Sequence, residues 1–175
     1  MLLIVDISLL LFLGCVLFQD LKQREISAVL IPLLLSGFMA RGILLERSDI
    51  LLNDSLINLG FILIQLMLLT LYFSIRKKQF INIINSYLGL GDILFLIVIT
   101  SAFSPLNFIL FYFIAMLFTL LSVILYSQLS KKEIQEIPLA GIMSSVMMIV
   151  LVLTWIVPGI NMYNDGNFLE FLAAQ

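Results

Sequence analysis

The chain has 175 residues, of which 62% are hydrophobic and only 11% are charged, and its net charge is −2. A soluble domain carries about 25% charged residues, so the composition excludes an ordinary soluble domain and favours a protein of the lipid bilayer. The absence of histidine excludes zinc sites of the HExxH type and histidine-assisted nucleophiles. The single cysteine, Cys15, excludes an intrachain disulfide, and the negative net charge provides no basic surface for nucleic acid.

Six apolar stretches follow one another along the chain, each close to the roughly 20 residues that cross a bilayer as a helix. Helices are the expected form, because a helix satisfies its own backbone hydrogen bonds in lipid. The sequence therefore predicts an all-α membrane helix bundle with six transmembrane helices, which forms a single domain over residues 1–175. Pro105 is expected to separate the fourth helix from the fifth. The predicted helices cover residues 2–19, 28–45, 56–75, 86–103, 106–127 and 138–157.

The positions of lysine and arginine predict the orientation of the bundle, because basic residues accumulate in cytoplasmic loops. Seven of the nine basic residues follow the first, third and fifth stretches, and only Arg41 and Arg47 lie on the other side. Both termini of this multi-pass membrane protein are therefore expected outside the cytoplasm. The seven residues are Lys22, Arg24, Arg76, Lys77, Lys78, Lys131 and Lys132.

Three acidic residues lie within or at the edge of an apolar stretch, where a charge is costly and therefore a candidate for function. Asp6 is near the outer end of the first stretch, and we expect it to reach water or headgroups and to be structural. Asp20 ends the first stretch, and Asp92 lies roughly 9 Å into the fourth. Because these two stretches cross the membrane in opposite directions, Asp20 and Asp92 are predicted to lie on the same, cytoplasmic side.

Two facing carboxylates can carry out general acid–base chemistry, because like charges at close range leave one group ionised and the other protonated. Gly89 and Gly91 precede Asp92, and glycine permits local unwinding or close approach of another chain. Each residue also has a structural interpretation. Asp20 could be a solvated charge beside Lys22, the glycines could serve helix packing, and Asp92 could bond a polar residue such as Gln65.

Three segments of the chain resemble the motifs of type IV prepilin peptidases, which are intramembrane aspartyl peptidases of the GxGD type. Residues 20–26, DLKQREI, resemble the first aspartate motif, and residues 89–92, GLGD, resemble the second. Residues 136–141, EIPLAG, resemble the entry to the last helix of the family. No large cytoplasmic loop is present, so the resemblance is to the short forms without a methyltransferase region.

The resemblance implies an aspartic endopeptidase that cleaves the leader of a prepilin-like substrate at the cytoplasmic membrane face. Asp20 and Asp92 would be catalytic, Gly89, Gly91 and Lys22 would support them, and neither a metal nor an organic cofactor is implied. The partners implied are the prepilin-like substrate and the lipid bilayer, and the location implied is the bacterial cytoplasmic membrane, in which the chain would be a multi-pass protein.

The chain departs from the family pattern at two places. The first motif continues as Ile26-Ser27-Ala28 where the family has Ile-Pro-Asn, and Leu94 stands where the family has lysine. Two alternatives therefore stay open: an inactive membrane assembly component of the same fold, or a small transporter that uses Asp20 and Asp92. Carboxylates paired at one membrane face favour the peptidase, whereas carboxylates in a midplane cavity favour the transporter.

Overall fold

The computed structural model describes residues 1–79, 88–130, 137–157 and 160–166. In these ranges the chain forms six α-helices joined by short connections, so the expectation of an all-helical protein is confirmed for the described part. The helices are α1 (Leu2–Gln23), α2 (Leu30–Leu44), α3 (Ser48–Lys77), α4 (Leu90–Ile99, extended by a 3-10 turn over Thr100–Ala102), α5 (Pro105–Ser130) and α6 (Leu139–Ile156).

Four of these helices, α1, α3, α5 and α6, are long and apolar enough to cross a membrane. The other two are shorter, with 15 residues in α2 and 10 in α4, against the roughly 20 needed for a full crossing. The described residues thus indicate a membrane protein with four candidate spans, and helix length alone does not support the predicted count of six. In the most apolar 18-residue stretch of α3, only 11% is buried inside the protein, as expected of a helix that faces lipid.

Several predicted helix ends lie elsewhere in the structure. Helix α1 continues one turn beyond residue 19, so Asp20 is helical, and the helix ends where Arg24 adopts a left-handed conformation with φ of 56°. Helix α3 starts at Ser48, eight residues before the predicted start. The predicted start of the fourth helix at residue 86 lies outside the described residues, as do Lys131, Lys132 and Glu136.

The start of α4 places Asp92 closer to the beginning of its helix than the sequence predicts. The backbone of Gly89 is extended, with φ of −65° and ψ of 143°, and the helix begins only at Leu90. Asp92 therefore lies in the first turn of α4, where its carboxylate can reach the ends of other helices. The expected break before α5 is confirmed, because that helix begins at Pro105.

Helix α6 lies at the centre of the bundle and packs against α1, α5 and α4. Half of this 18-residue helix is buried inside the protein. Helices α1 and α6 run antiparallel. Asp20 near the end of α1 contacts Gly141 near the start of α6, and Asp6 near the start of α1 contacts Trp155 near the end of α6. These contacts define the two ends of the bundle, called here the Asp20 end and the Asp6 end.

Candidate active site

The first backbone amides of α6 are the centre of the candidate site. The first four amides of any helix have no partner inside the helix, and the residue before α6, Pro138, provides no side-chain cap. Asp20 Oδ2 accepts a hydrogen bond from the Gly141 amide at 2.5 Å. Asp92 Oδ1 accepts one from the Ala140 amide at 2.9 Å. Two consecutive amides therefore hold two carboxylates, one from α1 and one from α4.

The two carboxylates lie side by side, because the amides that bind them belong to the consecutive residues Ala140 and Gly141. Asp20 is only 5% exposed, whereas Asp92 is half-buried, so the pair is accessible from the Asp92 side. The positive end of the α6 dipole favours negative charge at this position. A carboxylate has about four lone-pair sites, so these hydrogen bonds leave acceptor capacity for a water molecule or a peptide.

Gly141 belongs to the site, although sequence reasoning did not assign it there. A Cβ atom at position 141 would lie 2.9 Å from Asp20 Oδ2 and 3.0 Å from Asp20 Cβ, distances at which one of the atoms has to move. The Asp20 carboxylate reaches the amide only because residue 141 has no side chain. The signal was present in the sequence, since this glycine ends the third of the family-like segments.

The two glycines of the second motif have different surroundings. Gly89 is the extended residue before α4; its amide interacts with the Asp92 carboxylate, and a Cβ there would lie 3.1 Å from Asp92 Oδ2. Gly91 is helical and faces the turn that follows α1, where a Cβ would lie 3.4 Å from Ile26 Cδ1. Ile26 belongs to the first motif, so the first and second motifs pack directly against each other.

Lys22 is not brought to the carboxylates. Its ammonium group lies over the Phe18 ring, 5.3 Å from the ring centre, on the exposed side of α1. The interpretation of Asp20 as a solvated charge beside Lys22 is therefore wrong, because the Asp20 carboxylate is buried and bonded to Gly141. Leu94, at the position of the family's lysine, is half-buried.

Gln65 does not bond Asp92. Its side-chain amide donates to the Tyr112 hydroxyl, and both residues lie on the wall of an apolar cavity of about 210 Å³ between α3, α4, α5 and α6. Two of the lining residues, Leu88 and Leu139, directly precede Gly89 and Ala140 in the sequence. The other lining residues are Ile62, Leu66, Leu69, Leu96 and Met116.

Asp6 is far from this site. It was expected to reach water or headgroups, and it does not. It is 1% exposed and forms an ion pair with Arg41, whose Nε lies 2.7 Å from Asp6 Oδ1. Trp155 Nε1 donates to the other carboxylate oxygen at 2.8 Å. Arg41 lies inside α2 and is 4% exposed. The expectation was wrong because Arg41 and Trp155 bind the Asp6 carboxylate inside the protein.

In the described ranges, no three histidine, cysteine, aspartate or glutamate side chains come together as a metal site. Comparison with protein-family models, with curated proteins and with solved structures finds no match to this chain. A functional assignment therefore depends on the geometry of the carboxylate pair and on the motifs that supply it.

Proposed function

We propose that this chain is an intramembrane aspartyl endopeptidase of the type IV prepilin peptidase kind, with Asp20 and Asp92 as the catalytic pair. The observation that carries the proposal is the convergence of both carboxylates on the adjacent amides of Ala140 and Gly141. Asp20 and Asp92 come from the first and second motifs, and the two amides come from the third. Segments far apart in the sequence thus meet at one place, as an active site requires.

The chemistry of the pair needs only water as a second reactant. One carboxylate removes a proton from water while the resulting hydroxyl adds to the carbonyl carbon of the scissile peptide bond. The other, protonated, carboxyl gives its proton to the leaving nitrogen as the carbon–nitrogen bond breaks. The pair ends with its proton on the opposite partner, and the two products leave as an acid and an amine.

The proposed arrangement has six spans with both termini outside the cytoplasm, and the Asp20 end faces the cytoplasm. The basic residues Lys22, Arg76 and Lys77 lie at this end, at the last turns of α1 and α3, which supports this orientation. The shorter helices α2 and α4 would complete the six spans. The substrate would be a prepilin-like protein, held by its hydrophobic helix in the membrane and cut at its cytoplasmic leader.

The second candidate is an inactive assembly component of the same fold. One observation favours it: both carboxylates act as caps for the start of α6, and a cap alone would explain them. The transporter is less well supported, because the pair lies at one end of the bundle and not in a midplane cavity.

Replacement of aspartate by asparagine separates catalysis from capping. In Asp92→Asn the side-chain oxygen can still accept a hydrogen bond from the Ala140 amide, but the side chain no longer takes up and releases a proton. The wild type and this variant would each be co-expressed with a prepilin-like precursor, and the precursor and its processed form would be resolved on a gel. We expect processing by the wild type and none by Asp92→Asn at equal protein level. The control is Asp49→Asn, which changes an exposed residue of α3. Equal processing by wild type and Asp92→Asn would favour the capping role.

A further inference from the structure

A polar cluster at the Asp6 end joins α1 and α6, which are two of the three helices that form the carboxylate site. We call it the Asp6 cluster; its members are Asp6 of α1, Arg41 of α2, Thr154 and Trp155 of α6, and Tyr163. Two hydrogen bonds connect the members on α1 and α2 to the members on α6. Trp155 Nε1 donates to Asp6 Oδ2 at 2.8 Å, and Arg41 Nη2 donates to Thr154 Oγ1 at 3.2 Å. The Arg41 guanidinium also lies over the Tyr163 ring, 5.6 Å from its centre.

The spacing of the contacts is the same on both helices. Asp6 and Asp20 are 14 residues apart in α1, and Gly141 and Trp155 are 14 residues apart in α6. This separation corresponds to about 21 Å along each axis, or about four turns. Because the helices are antiparallel, one axial register satisfies both contacts. A slip of one turn would move the Gly141 amide about 5.4 Å along the axis, away from Asp20.

Apolar packing defines such a register only weakly in a membrane. Lipid tails are as apolar as leucine, so sliding one leucine-rich helix over another exposes nothing that lipid does not solvate. A buried ion pair behaves differently, because losing its partners leaves a charge in a medium that solvates it poorly. Polar contacts are known to fix the register of packed helices at some cost in stability.

We propose that the Asp6 cluster sets the axial register of α1 against α6 and thereby holds Asp20 on the Gly141 amide about 21 Å away. Asp6, Thr154 and Trp155 are in this account positioning residues, which act on the site only through the helices. Arg41 pairs with the buried Asp6 carboxylate. The hydrogen bonds from Trp155 to Asp6 and from Arg41 to Thr154 tie this pair to α6. The register role follows from the geometry alone, whereas its consequence for peptide cleavage rests on the proposed function.

Disulfide formation at the Asp20 end measures the register without any peptidase activity. In a Cys15→Ser background, Asp20→Cys and Gly141→Cys are combined. The Cβ position at residue 141 lies 3.0 Å from Asp20 Cβ, and a disulfide needs about 3.5–4.5 Å, so a small shift suffices. The rate of bond formation under a mild oxidant is followed in membranes by the loss of thiols that react with a polyethylene glycol maleimide.

The test variant combines Thr154→Val with Trp155→Phe, which removes both hydrogen bonds to α6 and leaves the pair of Asp6 and Arg41 intact. We expect the cross-linking rate to fall about tenfold in the double variant, with intermediate rates in the two single variants. The matched control is Thr119→Val, because the Thr119 hydroxyl is buried and donates within its own helix α5. The single variants also serve as the test if the double variant does not accumulate.

An unchanged rate in the test variants would overturn the register role, and so would an equal fall in the Thr119→Val control. For the catalytic consequence, Trp155→Phe should lower kcat while KM stays near its wild-type value. A wild type without peptidase activity would refute the proposed function but leave the cross-linking result valid, so the two failures can be distinguished.

Discussion

Asp20 Oδ2 accepts a hydrogen bond of 2.5 Å from the Gly141 amide, and a Cβ atom at residue 141 would lie 2.9 Å from the same oxygen. The hydrogen bond and the missing side chain are therefore two parts of one arrangement. Residue 141 lies in the first turn of α6, and it has no left-handed backbone that would itself require glycine. The close approach of the Asp20 carboxylate is the reason for glycine here.

Gly141→Ala should consequently displace Asp20 and reduce precursor processing by about 100-fold, because a misplacement near 1 Å can have that effect on catalysis. Alanine also favours a helix over glycine, so the thermal stability should stay near that of the wild type. The measurement pairs a melting curve in detergent with processing by the same preparation. Gly14→Ala in α1 is the control, since a Cβ there has no neighbour within 4 Å. Full processing by Gly141→Ala would show that the exact placement of Asp20 is unimportant.

Gly91 gives a graded prediction, because a Cβ at this residue would lie 3.4 Å from Ile26 Cδ1, an ordinary contact distance. Gly91→Ala should be tolerated, whereas the branched side chain of Gly91→Val should push Ile26 away and separate α4 from the end of α1. We expect Gly91→Val to lose processing while its thermal stability stays near normal, and Gly91→Ala to keep most of its activity. A parallel loss of stability and processing in Gly91→Val would instead indicate a packing glycine without a selective role in catalysis.

The sequence predicted the parts of this fold that depend on local composition. Apolar stretches marked the helices, Pro105 marked a break, and the alternation of helix directions predicted that Asp20 and Asp92 lie at one end of the bundle. The capping of α6 was not predictable in the same way. Its donors are backbone amides, which any residue type provides, and only Gly141 leaves a trace of the contact in the sequence.

The Asp6 cluster was missed for a different reason. Asp6 and Arg41 are 35 residues apart, and no local pattern connects them. A lone charge near the end of an apolar stretch is more simply interpreted as one that reaches water, which was the expectation for Asp6. An arginine within the second stretch was the available signal, because a second buried charge of opposite sign provides a partner.

Tyr163 gives a prediction about pH. This residue lies beyond the last helix; its burial raises the pKa to about 12, and the nearby Arg41 lowers it in part. In the unfolded chain the pKa of tyrosine is about 10. The contribution of neutral Tyr163 to the free energy of unfolding is therefore complete below pH 10 and is lost as the pH rises towards 12. Between pH 9 and 12 the wild type should lose on the order of 2 kcal/mol more unfolding free energy than Tyr163→Phe. Identical losses in chemical unfolding would contradict a buried, neutral tyrosine.

The orientation can be tested with reporters that are active on only one side of the membrane. A reporter fused after Gln175 should read extracytoplasmic, and one fused after Lys78 should read cytoplasmic, because Lys22, Arg76 and Lys77 lie at the Asp20 end. A second fusion after Arg24 is the matched control, since it ends on the same proposed side as Lys78. The opposite pattern would place both carboxylates outside the cytoplasm and exclude cleavage of a cytoplasmic leader.

The central claim is that Asp20 and Asp92 act as one catalytic unit on a peptide bond. The most direct measurement is the rate of cleavage of a purified prepilin-like precursor by the wild type, by Asp20→Asn, by Asp92→Asn and by the double variant, with the cleavage position determined by mass spectrometry. Residues that act as a unit are not additive, so each single variant should fall to the same residual rate as the double variant, while all four proteins keep similar melting temperatures. Cleavage at the wild-type rate by either single variant, or no cleavage by a correctly folded wild type, would contradict the claim.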